Sequence, residues 1–155
     1  MNTPNIEIID FSEDLKPYIK QLNYEWLEKY FSIEESDVIS LSNPKKEIID
    51  KGGYIFFARM DNKIIATASL LKKTDSVFEL AKMAVTQNIQ GKGIGKLLVE
   101  HCISFSKKRQ ISKLILYSNT ALYSALQLYK KYGFEEVKLE ETFYKRANIK
   151  MELKL

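Results

Sequence analysis

The sequence is short of the residue types on which several chemistries depend. It holds one cysteine, Cys102, which excludes an internal disulfide and a multi-cysteine metal site. It holds one histidine, His101, so a multi-histidine centre is excluded too, and no metal is expected. The two are neighbours in a helical pattern, "HCISF", where adjacent side chains diverge, so they do not make a Cys–His catalytic pair. Cys102 reads as a buried structural thiol. Long apolar runs are missing: "IIATASLL" is far too short to span a bilayer, and no membrane contact is expected. "MNTPNIEIID" has no basic segment leading into an apolar core, so no secretory signal is expected and the expected compartment is cytoplasmic. Internal repeats, low-complexity tracts and Pro/Gly/Ser-rich linkers are absent, and the 155 residues read as a single domain, 1–155.

A strong excess of one charge is also lacking. Lys and Arg number 24 against 20 Asp and Glu, a net charge of +4, and they are spread along the chain rather than gathered in the stripe of a nucleic-acid binder. No nucleic-acid partner is expected. What is present is a composition 45% hydrophobic and 28% charged, which suits a folded chain able to bury a core without staples.

The pattern along the chain is mixed. "IEIIDF" (6–11) reads as a strand. Residues 13–31 place Leu15, Tyr18, Ile19, Leu22 and Trp26 at helical spacing. "SNPKKEIIDKGG" predicts a short helix broken by Gly52 and Gly53. "YIFFARM" and "KIIATASLL", separated by "DN", predict a hairpin, and "VFELAKMAV" (77–85) another strand. Ile94, Leu97, Leu98, Cys102 and Phe105 mark one helical face. After the buried-type strand "KLILYS" (113–118), Leu122, Ala125, Leu126 and Tyr129 mark another, which stops near Gly133. "FEEVKL" follows. The alternating "IKMELKL" predicts a half-buried strand. The order β-α-α-β-β-β-α-β-α-β-β predicts an α/β (mixed α+β) fold, a central mixed sheet with helices on both faces.

Three of the six glycines fall together in "AVTQNIQGKGIGKLLVEH", at Gly91, Gly93 and Gly95. A Walker A loop needs four residues between its first Gly and the Gly-Lys pair; here there are three, and Leu97 follows Lys96. A G-x-G-x-x-G fingerprint fails as well, meeting Lys96 or Leu98 at its third glycine. The glycines nonetheless precede a helix, whose first N–H groups lack partners and favour an anion. Without Cβ atoms the loop lets a phosphate approach the amides. A tight turn for close strand–helix packing is the other reading of the same residues.

The segment resembles the acyl-CoA loop of the GNAT N-acetyltransferase superfamily, Q/R-x-x-G-x-G/A, as Gln90-Gly91-Lys92-Gly93-Ile94-Gly95. "ELAKMAV" before it and "LYKKYGF" after it are similar to GNAT segments too. The element order fits a GNAT-like, mostly antiparallel sheet, so the resemblance covers nearly the whole chain. It implies that Gln90, Gly91, Lys92, Gly93, Ile94, Gly95 and Lys96 bind the pyrophosphate of acetyl-CoA. It also implies that the backbone of Met83 and Val85 pairs with the pantetheine arm, and that the Val85 amide stabilises the oxyanion. On the same resemblance Tyr129 is the acid that protonates the CoA thiolate; a core tyrosine bonded to a carbonyl is the alternative. Many relatives carry an asparagine seven residues earlier, where this chain has Leu122, and Asn119 is the candidate replacement. Glu79 is the candidate base. By strand parity it shares a face with Val77, Ala81, Met83 and Val85, where burial would raise its pKa; a structural carboxylate paired with a lysine is the alternative.

The implied activity is acetyl transfer from acetyl-CoA to a primary amine, by direct attack in a ternary complex, in a monomer or homodimer. A non-catalytic acyl-CoA sensor on the same fold is the other reading. The acceptor, a small molecule, amino acid or peptide terminus, is not identified by the fold. In the resemblance, the first two helices and the connection between the last two strands flank it. There "YFSIEESD" supplies Glu34, Glu35 and Asp37, which would attract a cationic amine, and "FYKRAN" supplies Tyr144 and Arg146, which could grip a carboxylate, together suggesting a small zwitterionic acceptor such as an amino acid or a peptide terminus. A helix start and a solvated arginine are the alternatives.

Overall fold

The apolar and alternating runs become seven strands of one sheet. In chain order these are β1 (Ile6–Asp10), β2 (Tyr54–Met60), β3 (Lys63–Lys72), β4 (Val77–Val85), β5 (Lys113–Ser118), β6 (Glu135–Val137) and β7 (Ile149–Lys154). Across the sheet they run β1-β2-β3-β4-β5-β7-β6. Among the described residues four α-helices accompany them: α1 (Lys16–Tyr30), α2 (Glu35–Ser42), α3 (Ile94–Lys108) and α4 (Tyr123–Lys131). The computed structural model describes residues 5–140 and 144–155. Residues 1–4 of the N-terminal stretch and Phe143 of "FYKRAN" lie outside the described residues.

The "DN" between β2 and β3 makes the expected hairpin, with both Asp61 (φ 48°) and Asn62 (φ 69°) left-handed. A two-residue turn of this kind matches the twist of the strands it joins. The second helix is not where the spacing put it. "SNPKKEIIDKGG" forms only a π-helical turn, Lys45–Ile49, and the helix lies upstream as α2. Its start carries no Ser, Thr or Asn signal. Instead the Asp37 carboxylate reaches back to accept the Glu34 backbone N–H at 2.9 Å, a side-chain cap delivered from inside the first turn.

Helices cover both faces, as the element order predicts. Ile55 and Phe57 of β2 pack with Ile19 and Leu27 of α1 and Leu41 of α2. Their neighbours Phe56 and Ala58 face the other way, into a larger core with Leu98 and Cys102 of α3 and Leu126 and Tyr129 of α4. The alternation of one strand thus feeds two cores. Tyr18 and Leu97 depart from their predicted buried faces, at 37% and 39% exposed.

Two irregularities around β4 shape the site. All strand pairs are antiparallel except β4 with β5, whose parallel pairing spans only Val77–Glu79 against Lys113–Ile115. Beyond Glu79 the two strands separate while β4 continues to Val85, so an edge of unpaired backbone groups faces a wedge in the middle of the sheet. The second is a β-bulge. Thr67 pairs with Ala84 and Ser69 with Ala81, so Lys82 and Met83 both stand opposite Ala68, two residues against one. Lys82 takes the bend with φ 56°, a left-handed conformation unusual for a lysine.

The bulge corrects the parity expectation. Phe78 and Leu80 point into the core with α3 and α4 before it; Met83 and Val85 do so after it. Glu79 is therefore not on the Met83–Val85 face. It lies on the opposite face with Lys82, towards α1 and α2.

Candidate active site

The wedge opens into a cleft of about 680 Å³. The glycine loop stands at one end. Gly91 and Gly93 have φ of 83° and 79°, and a Cβ added at either would meet no atom within 4 Å. Both glycines are thus needed for backbone conformation, and the space beside them is free for a ligand. Gly95 is different: it has no left-handed backbone, and its Cβ position lies at ordinary van der Waals distance, 3.5 Å, from the Leu128 side chain of α4. Gly93 caps α3 without any side-chain hydrogen bond, leaving first-turn N–H groups for an anion.

Gln90, Gly91, Gly93, Ile94, Gly95 and Lys96 all line the cleft, as do Met83 and Val85; Lys92 does not. Thr86 N–H bonds to Ile65 O of β3 at 2.8 Å. Because successive N–H groups on a strand point to opposite edges, the Val85 N–H is directed into the wedge. The Val85 carbonyl on the same side accepts the Gln90 side-chain amide at 3.1 Å. Asn119 also lines the cleft, but its amide is engaged at both ends. It donates to Arg146 O at 2.6 Å and accepts the Ala121 N–H at 2.8 Å, tying the end of β5 to the segment before β7.

Tyr129 and Glu79 reach the cleft from opposite faces of the sheet. Tyr129, on α4, is 8% exposed and packs edge-on against Phe134. Burial pushes its phenol up to about 12, so it keeps its proton at neutral pH. No hydrogen bond to its hydroxyl is made among the described residues. Glu79 is 2% exposed. Its carboxylate accepts from Lys73 Nζ at 3.0 Å and from the Tyr144 hydroxyl at 3.2 Å. Burial and the Glu79 carboxylate hold the Tyr144 phenol well above its ordinary value. Cys102 is fully buried and pushed up to about 12 by that burial, and His101 stacks edge-on over Phe56; both keep to structural roles.

The acidic and basic residues expected to receive the acceptor face each other. Arg146 Nη1 donates to Glu34 at 3.1 Å and to Asp37 at 2.8 Å, and Nη2 donates to Asp37 at 2.9 Å. Glu34 also accepts the backbone N–H groups of Lys145 and Arg146 at 2.9 and 3.3 Å. Asp37, Tyr144 and Arg146 line the cleft, and Glu34 lies behind it. The separate acidic lure and basic grip read from the sequence are one ion-paired cluster, and Arg146 is neither solvated nor free.

Sequence reasoning missed two buried residues here. Asn23 of α1 is 1% exposed; its amide donates to Ile19 O at 2.9 Å and to Lys82 O at 3.1 Å, and its oxygen accepts the Trp26 indole N–H at 3.1 Å. It pins the bulge to α1. The other is Lys82, whose side chain is 5% exposed and whose Nζ stands 3.8 Å from Asp37 Oδ1. The signal for Lys82 was available: a lysine interrupting the otherwise apolar run "LAKMAV".

Comparison with known proteins gives one consistent answer. The Acetyltransferase (GNAT) family matches residues 18–134. An N-acetyltransferase of Bacillus subtilis, YvbK, is 28% identical over 113 residues, 71% of this chain and 73% of that protein. A GNAT-family acetyltransferase from Staphylococcus aureus has the same fold, with a TM-score of 0.87 at 23% identity over 97% of this chain and 99% of the other. A GNAT-family acetyltransferase from Elizabethkingia anophelis, solved with acetyl-CoA bound, superposes with a TM-score of 0.68 at 23% identity, over 97% of this chain and 99% of that one.

Proposed function

As the chain belongs to the GNAT acetyltransferase family, we propose that it transfers an acetyl group from acetyl-CoA to the primary amine of a small molecule, amino acid or peptide terminus. One observation carries this reading. A single cleft joins a loop open at Gly91 and Gly93 to a protonated phenol on one face of the sheet and a buried carboxylate on the other. The proposed order is a ternary complex with direct attack, in keeping with a cleft lined from both faces of the sheet.

In this mechanism the amides of the Gly91–Lys96 loop hold the pyrophosphate, and the free edge of β4 at Met83 and Val85 pairs with the pantetheine arm. Glu79 accepts a proton from the acceptor ammonium, giving the neutral amine. The amine nitrogen attacks the thioester carbonyl; a C–N bond forms and the oxyanion is met by the Val85 N–H. The C–S bond then breaks as the Tyr129 hydroxyl gives its proton to the departing thiolate; the attacking nitrogen loses its second proton to solvent, and the Tyr129 phenolate and the protonated Glu79 exchange with solvent to return to their starting states. A thioester is already activated, so much of the acceleration lies in positioning.

Thiol release from acetyl-CoA across a panel of amines, amino acids and peptides tests the proposal. Turnover with at least one acceptor is expected, reduced by Glu79→Gln. CoA binding without turnover over the whole panel would favour the sensor reading instead.

The loop is tested separately through Gly93→Ala. The new methyl group meets open space, but the left-handed backbone costs about 1–2 kcal/mol, so a folded protein with a modestly lower Tm is expected. Calorimetric titration should show weakened CoA binding. Unchanged affinity would remove the loop from the phosphate site.

A further inference from the structure

Among the described residues, Lys82 is a buried cationic side chain of the cleft with no acceptor within hydrogen-bond reach of its ammonium. Each other charge near it has short partners: Arg146 has Glu34 and Asp37 at 2.8–3.1 Å, and Glu79 has Lys73 at 3.0 Å. The carboxylate oxygen nearest the Lys82 ammonium is Asp37 Oδ1 at 3.8 Å, beyond hydrogen-bond reach, and that oxygen already accepts from Arg146 Nη2 at 2.9 Å. An ammonium carries three donors, and one buried without acceptors is costly. Lys82 lines the cleft, with its Nζ 4.9 Å from the centre of the Tyr144 ring. The fold spends a strained lysine backbone, φ 56°, and a buried asparagine bonded to that residue's carbonyl to keep it there.

We propose that Lys82 binds a carboxylate carried by the acceptor, so that the acceptor is an amine that also bears an acid group. This rests on the acetyl-transfer reading above and adds the substrate class to it. The charge balance agrees. Glu34, Asp37 and Glu79 stand against Lys73, Lys82 and Arg146, a neutral set, and a zwitterion enters it without adding net charge. Its ammonium end meets Glu79, which prepares the nucleophile, and its carboxylate end meets the open donors of Lys82. Arg146, held by Glu34 and Asp37, is a support of this site and not its grip.

Burial lowers the Lys82 pKa, opposed by the Asp37 and Glu79 charges and assisted by Arg146 and Lys73. With Tyr144 in ring contact, these are the groups that face it from α2, β4, the turn after β3 and the segment before β7. The carboxylate preference should therefore fade with rising pH as the ammonium deprotonates, at a lower pH than for an ordinary lysine.

The test uses matched acceptors: an α-amino acid against its amide and its decarboxylated amine, and a peptide beginning with aspartate against one beginning with asparagine. Wild type is expected to show kcat/KM roughly 10- to 100-fold higher for the acid of at least one pair, the scale of one hydrogen bond to a charged group. The pair that responds identifies the source of the carboxylate. Lys82→Met should collapse that ratio to about one. Its fold should survive, because Asp37 keeps both bonds from Arg146 and Met needs no backbone conformation that Lys82 does not already adopt; a melt and a CoA titration check this. The same pairs are titrated calorimetrically into the CoA-loaded protein, so the comparison stands even where nothing turns over. Turnover of amines with equal efficiency within every pair, or equal binding within every pair, overturns the Lys82 inference while leaving acetyl transfer intact. So does a ratio that persists in folded Lys82→Met. Absence of turnover with every acceptor counts against the acetyl-transfer reading instead.

Discussion

Tyr129→Phe is expected to lower kcat by roughly 10²–10⁴-fold, the usual contribution of a positioned general acid, while leaving CoA affinity close to wild type. The ring makes the packing contacts: it lies edge-on to Phe134 inside the core formed with α3, and phenylalanine preserves them. The hydroxyl is what the proposed proton transfer to the thiolate requires. It has no hydrogen bond to satisfy among the described residues, so its removal strands no partner and stability should change little. With burial raising its phenol to about 12, Tyr129 supplies a proton throughout the neutral range, and the wild-type alkaline limb should not reflect its loss below about pH 11. Single-turnover measurements with a saturating acceptor isolate the chemical step. A near-normal rate in Tyr129→Phe under those conditions would make Tyr129 a core residue that merely borders the cleft.

Much of this arrangement was legible in the sequence, for identifiable reasons. Period and turn chemistry carry the strands: β2 and β3 could be read because "DN" supplies two residues tolerant of left-handed backbone between apolar runs. The glycine loop could be read because few structures other than an anion site or a tight turn need glycines at a helix mouth. Tyr129 followed from helical spacing with Leu122, Ala125 and Leu126. The failures share a cause. Helix α2 entered only as the alternative reading of "YFSIEESD", because its cap is Asp37, a residue within the first turn, and the Lys82 and Arg146 that pair with Asp37 lie far along the chain. The face of Glu79 was misassigned because the bulge is made by a lysine in a left-handed conformation, where glycine or asparagine would have announced it. Long-range contacts from Asn23 hold that conformation, and local pattern carries no trace of them. Lys82 was passed over by the same error, since on a regular strand its side chain would have alternated away from Glu79.

The second large effect concerns Asp37, which ties α2 to the far end of the chain. Its carboxylate is fully buried. It caps the Glu34 N–H at 2.9 Å, takes two bonds from Arg146 at 2.8 and 2.9 Å, and lies 3.8 Å from Lys82. Asp37→Ala therefore leaves two cations and a helix start without their common partner. Removing one member of a buried ion pair typically costs about 3–5 kcal/mol, and for a domain of this length that corresponds to a Tm lowered by roughly 6–20 °C. Asp37→Asn keeps the shape and one acceptor oxygen, so it should fall between. Burial alone would raise the Asp37 pKa, but the bonds from Arg146 and the Glu34 amide and the charges of Arg146 and Lys82 outweigh it and hold the value below that of a free aspartate. The unfolded chain thus binds a proton at Asp37 more readily than the folded one. Its stabilising contribution is complete above the unfolded value near 4, shrinks as pH falls below it, and is gone once the pH passes beneath the folded value. Chemical denaturation from pH 6 down to pH 3 should show wild type losing more stability than Asp37→Asn, with the curves converging at the acid end. Parallel curves for the two proteins, or an Asp37→Ala Tm within a degree of wild type, would mean that Arg146 and Lys82 find other partners and that the cluster does not hold α2 in place.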